Sequence, residues 1–201
     1  MARRMSRIPR RTLLAAALAL PWTLPFRAAA QAAVVERLHA ALLDIMRNAR
    51  SLGVRGRERR LRPVMEATFN LPAMARIAVG PPWTSFPPDQ QQAVVAAFTD
   101  WSIATYASRF DGFSGESFET SGESARPNGD RLVATRLNRP NDAPVLLNYL
   151  LRDGRIVDVY LTGTISELAS RRAEFTSILR EGGPDRLVAE LRQRTAAALG
   201  G

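Results

Sequence analysis

Residues 144–161 read PVLLNYLLRDGRIVDVYL, and this stretch decides the fold. Two apolar runs of strand length flank an Asp-Gly pair, which is a strong local signal for a tight β-hairpin. Both runs are apolar at nearly every position, as in central strands that are covered by helices. The sequence therefore predicts two antiparallel neighbours, 144–152 and 155–162, at the centre of a sheet.

The rest of the sheet is predicted before this hairpin, with helices on either side. Strands at 115–124 and 130–138 are joined to it by short links, RPNGD (126–130) and RPNDAP (139–144), which force antiparallel neighbours. The expected fold class is α+β, a curved four-stranded antiparallel meander wrapped by about six helices. Apolar residues recur with helical period in six segments, at 32–52, 57–68, 72–79, about 88–111, 164–181 and 184–199.

The first thirty residues have the pattern of an export signal. Five arginines precede the apolar run 13–20, and Ala28, Ala29 and Ala30 supply small residues for cleavage. A Sec signal is favoured over a twin-arginine signal, and Pro21 and Pro25 argue against a retained membrane anchor. We therefore expect a periplasmic protein.

The expected mature chain, residues 31–201, has the length of one domain. It divides into a helical part (32–111), the sheet (115–162) and the C-terminal helices (164–199). Its composition excludes disulfides and Cys-ligated metals, since the chain has no cysteine. Its length and composition thus predict a single domain without disulfides.

Removing residues 1–30 takes away six of the 28 basic residues and none of the 19 acidic ones. The formal net charge falls from +9 to +3, which disfavours a nucleic-acid binder. Seven arginines remain clustered between positions 47 and 62, against Glu58 alone. They form either a solvated face or a surface that docks on anionic headgroups or an acidic transporter. The candidate docking residues are Arg55, Arg57, Arg59, Arg60 and Arg62.

Residues able to carry out catalysis are scarce. His39 is the only histidine and falls on the polar side of its predicted helix, so we expect a surface or boundary residue. Asp158 lies between apolar neighbours on a predicted central strand, either as a structural carboxylate or as a general base. The sequence predicts no catalytic residue, no metal site and no cofactor. The alternative is a small cavity enzyme with Asp158 as its base and Tyr149 or Tyr160 as its polar helper.

Residues 69–83, FNLPAMARIAVGPPW, are apolar, bounded by prolines and too short to span a bilayer. The prolines predict a short helix that stops at both ends. Met74, Ile77 and Trp83 either line a cavity or belong to the core, and the sequence leaves both readings open.

The sequence resembles a known protein family along nearly the whole expected mature chain, from about residue 34 to residue 195. The resemblance is carried by Phe69, Leu71, Met74, Gly80 and Trp83, then Gln91, Phe98, Tyr106 and RFDGFSGE (109–116), and finally Asp158, Gly163, Ser166, Arg172 and Phe175. The pattern is similar to the MlaC-like toluene-tolerance family of periplasmic lipid-shuttle proteins, most closely the hopanoid-associated HpnM branch. Gly154 replaces a tryptophan usual in phospholipid-carrying members, and one extra residue separates Gly163 from Arg172, which favours the hopanoid branch.

The resemblance implies an NTF2-like sheet and helices that enclose an apolar cavity. It also implies a non-enzymatic carrier of hopanoid or phospholipid, an inner-membrane transporter and an outer-membrane acceptor as partners, and transient contact with the membrane surface. The residues expected to contact lipid are Met74, Ile77, Val79, Trp83, Phe98, Trp101, Tyr106, Val145, Leu147, Tyr149, Val157, Val159 and Leu161.

Overall fold

A computed structural model describes residues 24–200, with side chains from Gln31 onward. This part of the chain forms five α-helices and one five-stranded antiparallel sheet. The predicted signal peptide, residues 1–30, lies outside the described residues except for the backbone from Leu24. The elements are α1 (Leu24–Arg47), α2 (Ala49–Thr68), α3 (Leu71–Val79), a 3₁₀ turn (Pro81–Ser85), α4 (Pro88–Arg109), β1 (Ser117–Ala125), β2 (Arg131–Arg139), β3 (Asp142–Arg152), β4 (Arg155–Leu161), β5 (Ile165–Ser166) and α5 (Glu167–Ala198).

The sheet has one strand more than the sequence predicts. Its order is β1-β2-β3-β4-β5, and the predicted hairpin joins β3 to β4 through Asp153 and Gly154. Both turn residues have positive φ, 50° and 77°, as a tight hairpin turn requires. The prediction of four strands was wrong because β5 spans only Ile165 and Ser166, too few residues to show a period.

Three register shifts interrupt the ladders, between Thr120 and Gly122, between Leu137 and Arg139, and between Leu150 and Leu151. Bulges of this kind bend a strand and increase its local twist. The sheet is accordingly curved, with α1, α4 and the start of α5 beside its concave face.

The helices differ from the prediction at their boundaries. The expected helix 32–52 ends at Arg47, and α2 begins at Ala49 but contains Gly53 in a left-handed conformation, φ 59°. The two predicted C-terminal helices are one element, α5, broken at Gly182–Gly183. The described chain thus has five α-helices where about six were expected, and the NTF2-like description fits only in outline.

Helix α3 confirms the predicted proline-bounded segment. The Asn70 side chain accepts a hydrogen bond from Ala73 N–H at 3.2 Å, and Gly80 ends the helix. Asn70 N–H donates to the Ile156 carbonyl at 2.8 Å, which ties the entrance of α3 to β4. The start of α3 is therefore fixed against the sheet.

Candidate functional site

A cavity of about 450 Å³ lies between the concave face of the sheet and the helices, and we call it the main cavity. Alternate residues of β3 line it, because side chains of a strand point to one face at every second position. Val145 is paired with Leu137, Leu147 with Leu161, and Tyr149 with Val159, so three strands present one apolar wall. The lining consists of Met46, Tyr106, Arg109, Phe110, Asp111, Gly112, Glu116, Leu137, Arg139, Val145, Leu147, Tyr149, Val159, Leu161 and Glu167.

Tyr149 is fixed by a buried partner at the inner end of this wall. Its hydroxyl is hydrogen-bonded to His39 Nε2 at 3.1 Å, and the imidazole stacks on Phe118 with ring centroids 3.9 Å apart. The expectation of a surface or boundary histidine was wrong: His39 is only 4% exposed, because β1 covers that side of α1. Burial lowers the pKa of His39 to about 4 and raises the pKa of Tyr149. Both groups are therefore uncharged at neutral pH.

The rim of the main cavity is charged. Arg109 Nη1 lies 3.8 Å from Glu167 Oε1, and Arg139 Nη1 lies 3.3 Å from Asp142 Oδ2. Arg139 also donates a hydrogen bond from Nη2 to the Ala143 carbonyl at 2.8 Å. Glu116 accepts a hydrogen bond from Ser114 N–H at 2.6 Å. An apolar wall inside charged groups is the arrangement that suits an amphipathic ligand, with its apolar part inward.

A second, narrower hollow lies between helices α2, α3, α4 and α5, and we call it the helical slot. Its volume is about 30 Å³, which is room for roughly two water molecules. Two of the aromatic side chains that line it, Phe98 and Trp101, pack against the buried Phe175, with centroid distances of 5.9 to 6.4 Å in this cluster. The slot is lined by Met65, Phe69, Leu71, Met74, Phe98, Trp101, Ser102, Thr105, Tyr106, Glu167, Leu168 and Arg171.

The residues expected to contact lipid fall into three groups. The main cavity brings together Tyr106, Val145, Leu147, Tyr149, Val159 and Leu161. Met74, Phe98 and Trp101 line the helical slot, together with Tyr106. Ile77, Val79 and Val157 line neither hollow and pack elsewhere, and Trp83 lines an outer groove with Pro72, Gln91 and Val95. Contact of any of them with lipid stays a prediction.

Several lining residues were missed by the sequence interpretation. Leu137 has a signal, since it lies in a predicted strand, and Met46 lies in the apolar stripe of the first predicted helix. No such signal marks Arg109, Arg139 and Glu167, because charged residues at the ends of helices and strands are common on any protein surface. Only the folded chain brings them to one rim.

Asp158 supports the backbone around β4 and the start of α5. Its carboxylate accepts hydrogen bonds from Ser166 Oγ–H at 2.5 Å, Val159 N–H at 2.8 Å and Leu168 N–H at 3.3 Å. Asp158 is 7% exposed and lines neither hollow. These contacts fit the structural reading of this residue.

The arginine cluster is divided by its contacts. Arg57 was expected on a docking surface, but it is buried: it donates to the Ala107 carbonyl at 2.7 Å and to the Ala49 carbonyl at 3.1 Å. The first bond joins α2 to the end of α4, and the second lies within α2, across its break at Gly53. Arg60 pairs with Asp44, and Arg62 pairs with Glu58, Glu66 and Asp100. Arg55 and Arg59 are exposed and form no ion pair within the described residues.

The described part of the chain offers neither a metal site nor a membrane-spanning helix. Among residues 24–200, no cluster of His, Asp and Glu is suited to hold a metal ion. Within the same range, none of the helices combines the length and the apolar character needed to cross a bilayer.

The chain is similar to known proteins both in sequence pattern and in fold. A family model described as MlaC protein matches residues 36–193. The structure of a phospholipid-binding protein from Ralstonia solanacearum, solved in complex with a phospholipid, superposes with a TM-score of 0.71 and 20% sequence identity. The match covers 85% of this chain and 97% of that one, and at this identity it shows a shared fold. None of the curated proteins matches this chain.

Proposed function

The chain belongs to the MlaC protein family, and we propose that it is an exported, non-enzymatic lipid carrier that holds apolar tails in its main cavity. One observation carries this proposal: an apolar hollow of about 450 Å³ opens through a charged rim. A two-chain lipid exposes on the order of 30 methylenes, and at about 0.8 kcal/mol each their transfer into water costs roughly 24 kcal/mol. A carrier that covers these chains removes most of that barrier.

The proposed location is the periplasm, and the proposed route of export is a Sec signal in residues 1–30. This assignment rests on the order of arginines, apolar run and small residues at the start of the sequence. In that compartment the carrier would receive lipid from one membrane and deliver it to the other. We assign an inner-membrane transporter and an outer-membrane acceptor as partners. Arg55 and Arg59 are the exposed cations of the docking surface that form no ion pair within the described residues.

The proposed cargo is a phospholipid or a hopanoid. The Ralstonia solanacearum protein with the same fold binds a phospholipid, which supports the first. Gly154 stands where phospholipid-carrying relatives usually have a tryptophan, which favours the HpnM branch and a hopanoid cargo. Both cargoes share a large apolar part and a polar end, and the main cavity with its charged rim suits that common chemistry.

Native mass spectrometry of the protein purified from its own cell envelope tests this function. We expect it to carry an apolar molecule, which solvent extraction and fragmentation will identify as phospholipid or hopanoid. The Leu147→Arg variant places a charge on the apolar wall and should lose that molecule. A wild-type protein that is folded and ligand-free, and that takes up no lipid from vesicles, would contradict the proposal.

The Asp158→Asn variant separates the carrier from the alternative enzyme. The amide keeps one acceptor oxygen for the Val159 and Leu168 N–H groups, so we expect a stability loss of about 1 kcal/mol and unchanged lipid content. An enzyme with Asp158 as general base would lose activity by roughly 100-fold or more. Retained lipid together with a lost turnover of that lipid would favour the enzyme.

A further inference from the structure

The chain between α4 and β1, residues 110–116, borders the main cavity, and we call it the mouth loop. Four of its residues belong to the cavity lining: Phe110, Asp111, Gly112 and Glu116. Asp111 and Gly112 are at the same time exposed to solvent. The mouth loop therefore lies at the opening of the cavity.

The mouth loop meets a different element on each side. On one side it meets the end of α1, where the Arg47 guanidinium lies over the Phe113 ring, 5.1 Å from its centroid. On the other side Gly115 approaches Pro140, in the turn between β2 and β3. The mouth loop therefore spans one edge of the cavity, from a helix to the sheet.

Both ends of the mouth loop are anchored by aromatic rings. Phe110 stacks on Tyr106 of α4, with ring centroids 5.8 Å apart, and its centroid lies 6.5 Å from that of Phe118 in β1. Phe118 in turn stacks on His39 of α1. Movement of the loop is therefore confined to the residues between these two rings, 111–116.

The segment 111–116 has few contacts that fix it. Residues 111–115 are exposed, and no backbone group of this segment forms a backbone hydrogen bond with another element of the described chain. Ser114 N–H donates to Glu116 Oε2 at 2.6 Å, a bond that stays within the segment. Segments with an exposed backbone and few buried contacts open locally at a small cost in free energy.

Two glycines give this segment conformational freedom. Gly115 has φ 106°, a conformation that L residues rarely adopt, and a Cβ atom there would lie 3.2 Å from Pro140 Cγ. A Cβ atom at Gly112 would meet no heavy atom within 4 Å. Because glycine has access to more backbone conformations than any other residue, both positions suit a hinge.

The contact between Arg47 and Phe113 holds the segment against α1. Both side chains are exposed, Phe113 at 41%, and Arg47 forms no ion pair within the described residues. A guanidinium over an aromatic ring at an exposed site shifts an equilibrium by about two- to fivefold. A contact of that size favours the closed loop and still lets it open during ligand exchange. Neither residue lines the main cavity, so the contact acts on the loop without touching a ligand.

We propose that the mouth loop is the gate of the main cavity and that the Arg47–Phe113 contact is its latch. Opening separates Phe113 from Arg47 and moves residues 111–116 away from Pro140, which widens the opening for cargo to pass. This inference rests on the proposed carrier function and adds a control on how fast cargo enters and leaves. Because the latch lies outside the lining, it sets these rates and leaves the affinity for cargo unchanged.

Two variants break the latch: Phe113→Ala removes the ring, and Arg47→Gln removes the cation. The control is Arg50→Gln, the same exchange at a nearby exposed arginine that forms no ion pair within the described residues. The probe is a fluorescent fatty acid. Titration gives its equilibrium affinity, and stopped-flow transfer to phosphatidylcholine vesicles that contain a quencher gives its release rate.

We expect both latch variants to release the fatty acid about two- to fivefold faster than Arg50→Gln does, at the same affinity. The double variant should be no faster than either single variant, because both remove the same contact. Arg47→Lys keeps a cation over the ring and should restore slow release.

A disulfide tests the gate independently of the latch. The chain has no cysteine, so Gly115→Cys combined with Pro140→Cys introduces a single pair. A C–C bond is about 1.5 Å long, so the 3.2 Å to Pro140 Cγ puts the two Cβ atoms no more than about 4.7 Å apart, close to disulfide spacing.

The oxidised form of this variant ties the mouth loop to the sheet, and its reduced form is the control, with the same strain at position 115. We expect the oxidised form to release the fatty acid more slowly by about tenfold or more, and reduction to restore the faster rate. Thermal unfolding checks that both forms are folded.

The possible results separate the gate from the carrier function. Equal release rates of the oxidised and reduced forms overturn the gate. Release from Arg47→Gln and Phe113→Ala at the rate of Arg50→Gln overturns the latch. In both cases the bound fatty acid leaves the carrier function standing, whereas a wild-type protein that takes up no fatty acid overturns the carrier function and the gate with it.

Discussion

Replacing Val145 by tryptophan will weaken lipid binding, whereas the same change at Leu146 will not. Val145 lines the main cavity, and the next side chain along β3 points to the opposite face of the sheet. Leu146 is 48% exposed on that face, so a larger ring there meets solvent. The two variants carry the same new side chain on the same strand, one on each face of the sheet. Their comparison therefore tests whether the face that lines the main cavity binds lipid.

The size of the effect follows from the space that the indole takes. If it displaces about three methylenes of a bound chain, the loss is about 0.8 kcal/mol for each, or roughly 60-fold in affinity. Val145 is half-buried at the side of the cavity, which leaves room for the indole to turn inward without moving the strand. The stability of the two variants should therefore be similar.

Displacement of a fluorescent fatty acid by monopalmitoyl phosphatidylglycerol measures this difference directly. The two tryptophan variants are compared with wild type after delipidation, and their thermal unfolding is recorded to exclude misfolding. Affinities of Val145→Trp and Leu146→Trp within about threefold of each other would refute the assignment of this face to the ligand.

Three further outcomes are expected. Arg57→Leu removes two charge-assisted hydrogen bonds to backbone carbonyls, worth about 1.5 kcal/mol or more each, so urea unfolding should show a loss of about 3 kcal/mol, against almost none for exposed Arg59→Leu. Replacing both Arg55 and Arg59 by Glu should reduce association with anionic vesicles in low salt, because it reverses two positive charges on the docking surface. The Arg55→Gln, Arg59→Gln double variant, which only removes the charges, should show a smaller loss. Unchanged association of the Glu variant argues against docking through these two residues. The pKa of His39 is about 4 in the folded protein and near 6.5 in the unfolded chain, so between these pH values only the unfolded chain binds the extra proton. The free energy of unfolding should therefore fall by about 3 kcal/mol from pH 6.5 to pH 4. The His39→Leu variant should lack this part of the pH dependence.

The sheet was predictable from sequence because its signals are local. Period-two alternation, an Asp-Gly pair and two proline-containing links lie within a few residues of the strands that they define. The fifth strand was not predictable, since two residues show no alternation and β5 forms only because the turn at 162–164 brings them back to Tyr160 and Leu161. The break at Gly182–Gly183 was predicted, and both glycines leave helical geometry inside α5.

The site was predictable where one strand supplies it, and not where distant elements meet. Alternation alone places Val145, Leu147 and Tyr149 on one face of their strand. On the helices, an apolar residue that lines a hollow and one that fills the core obey the same period. Ile77 is therefore indistinguishable in sequence from Met74, although only Met74 lines the helical slot. His39 shows the converse case, because its burial depends on β1, about 80 residues away along the chain.

The cost of an empty cavity explains why the charged rim and the open mouth belong together. Cavities created in protein cores cost about 24 cal/mol for each Å³, so a sealed, empty space of 450 Å³ would cost roughly 11 kcal/mol, as much as the whole stability of many domains. A fold that keeps such a space must either fill it or leave it open to water. The rim residues Arg109, Arg139 and Glu167 are charged, and charged groups favour contact with water, so they favour a mouth that is open to solvent. A lipid tail that enters removes the apolar wall from water, which contributes about 25 cal/mol to binding for each Å² buried.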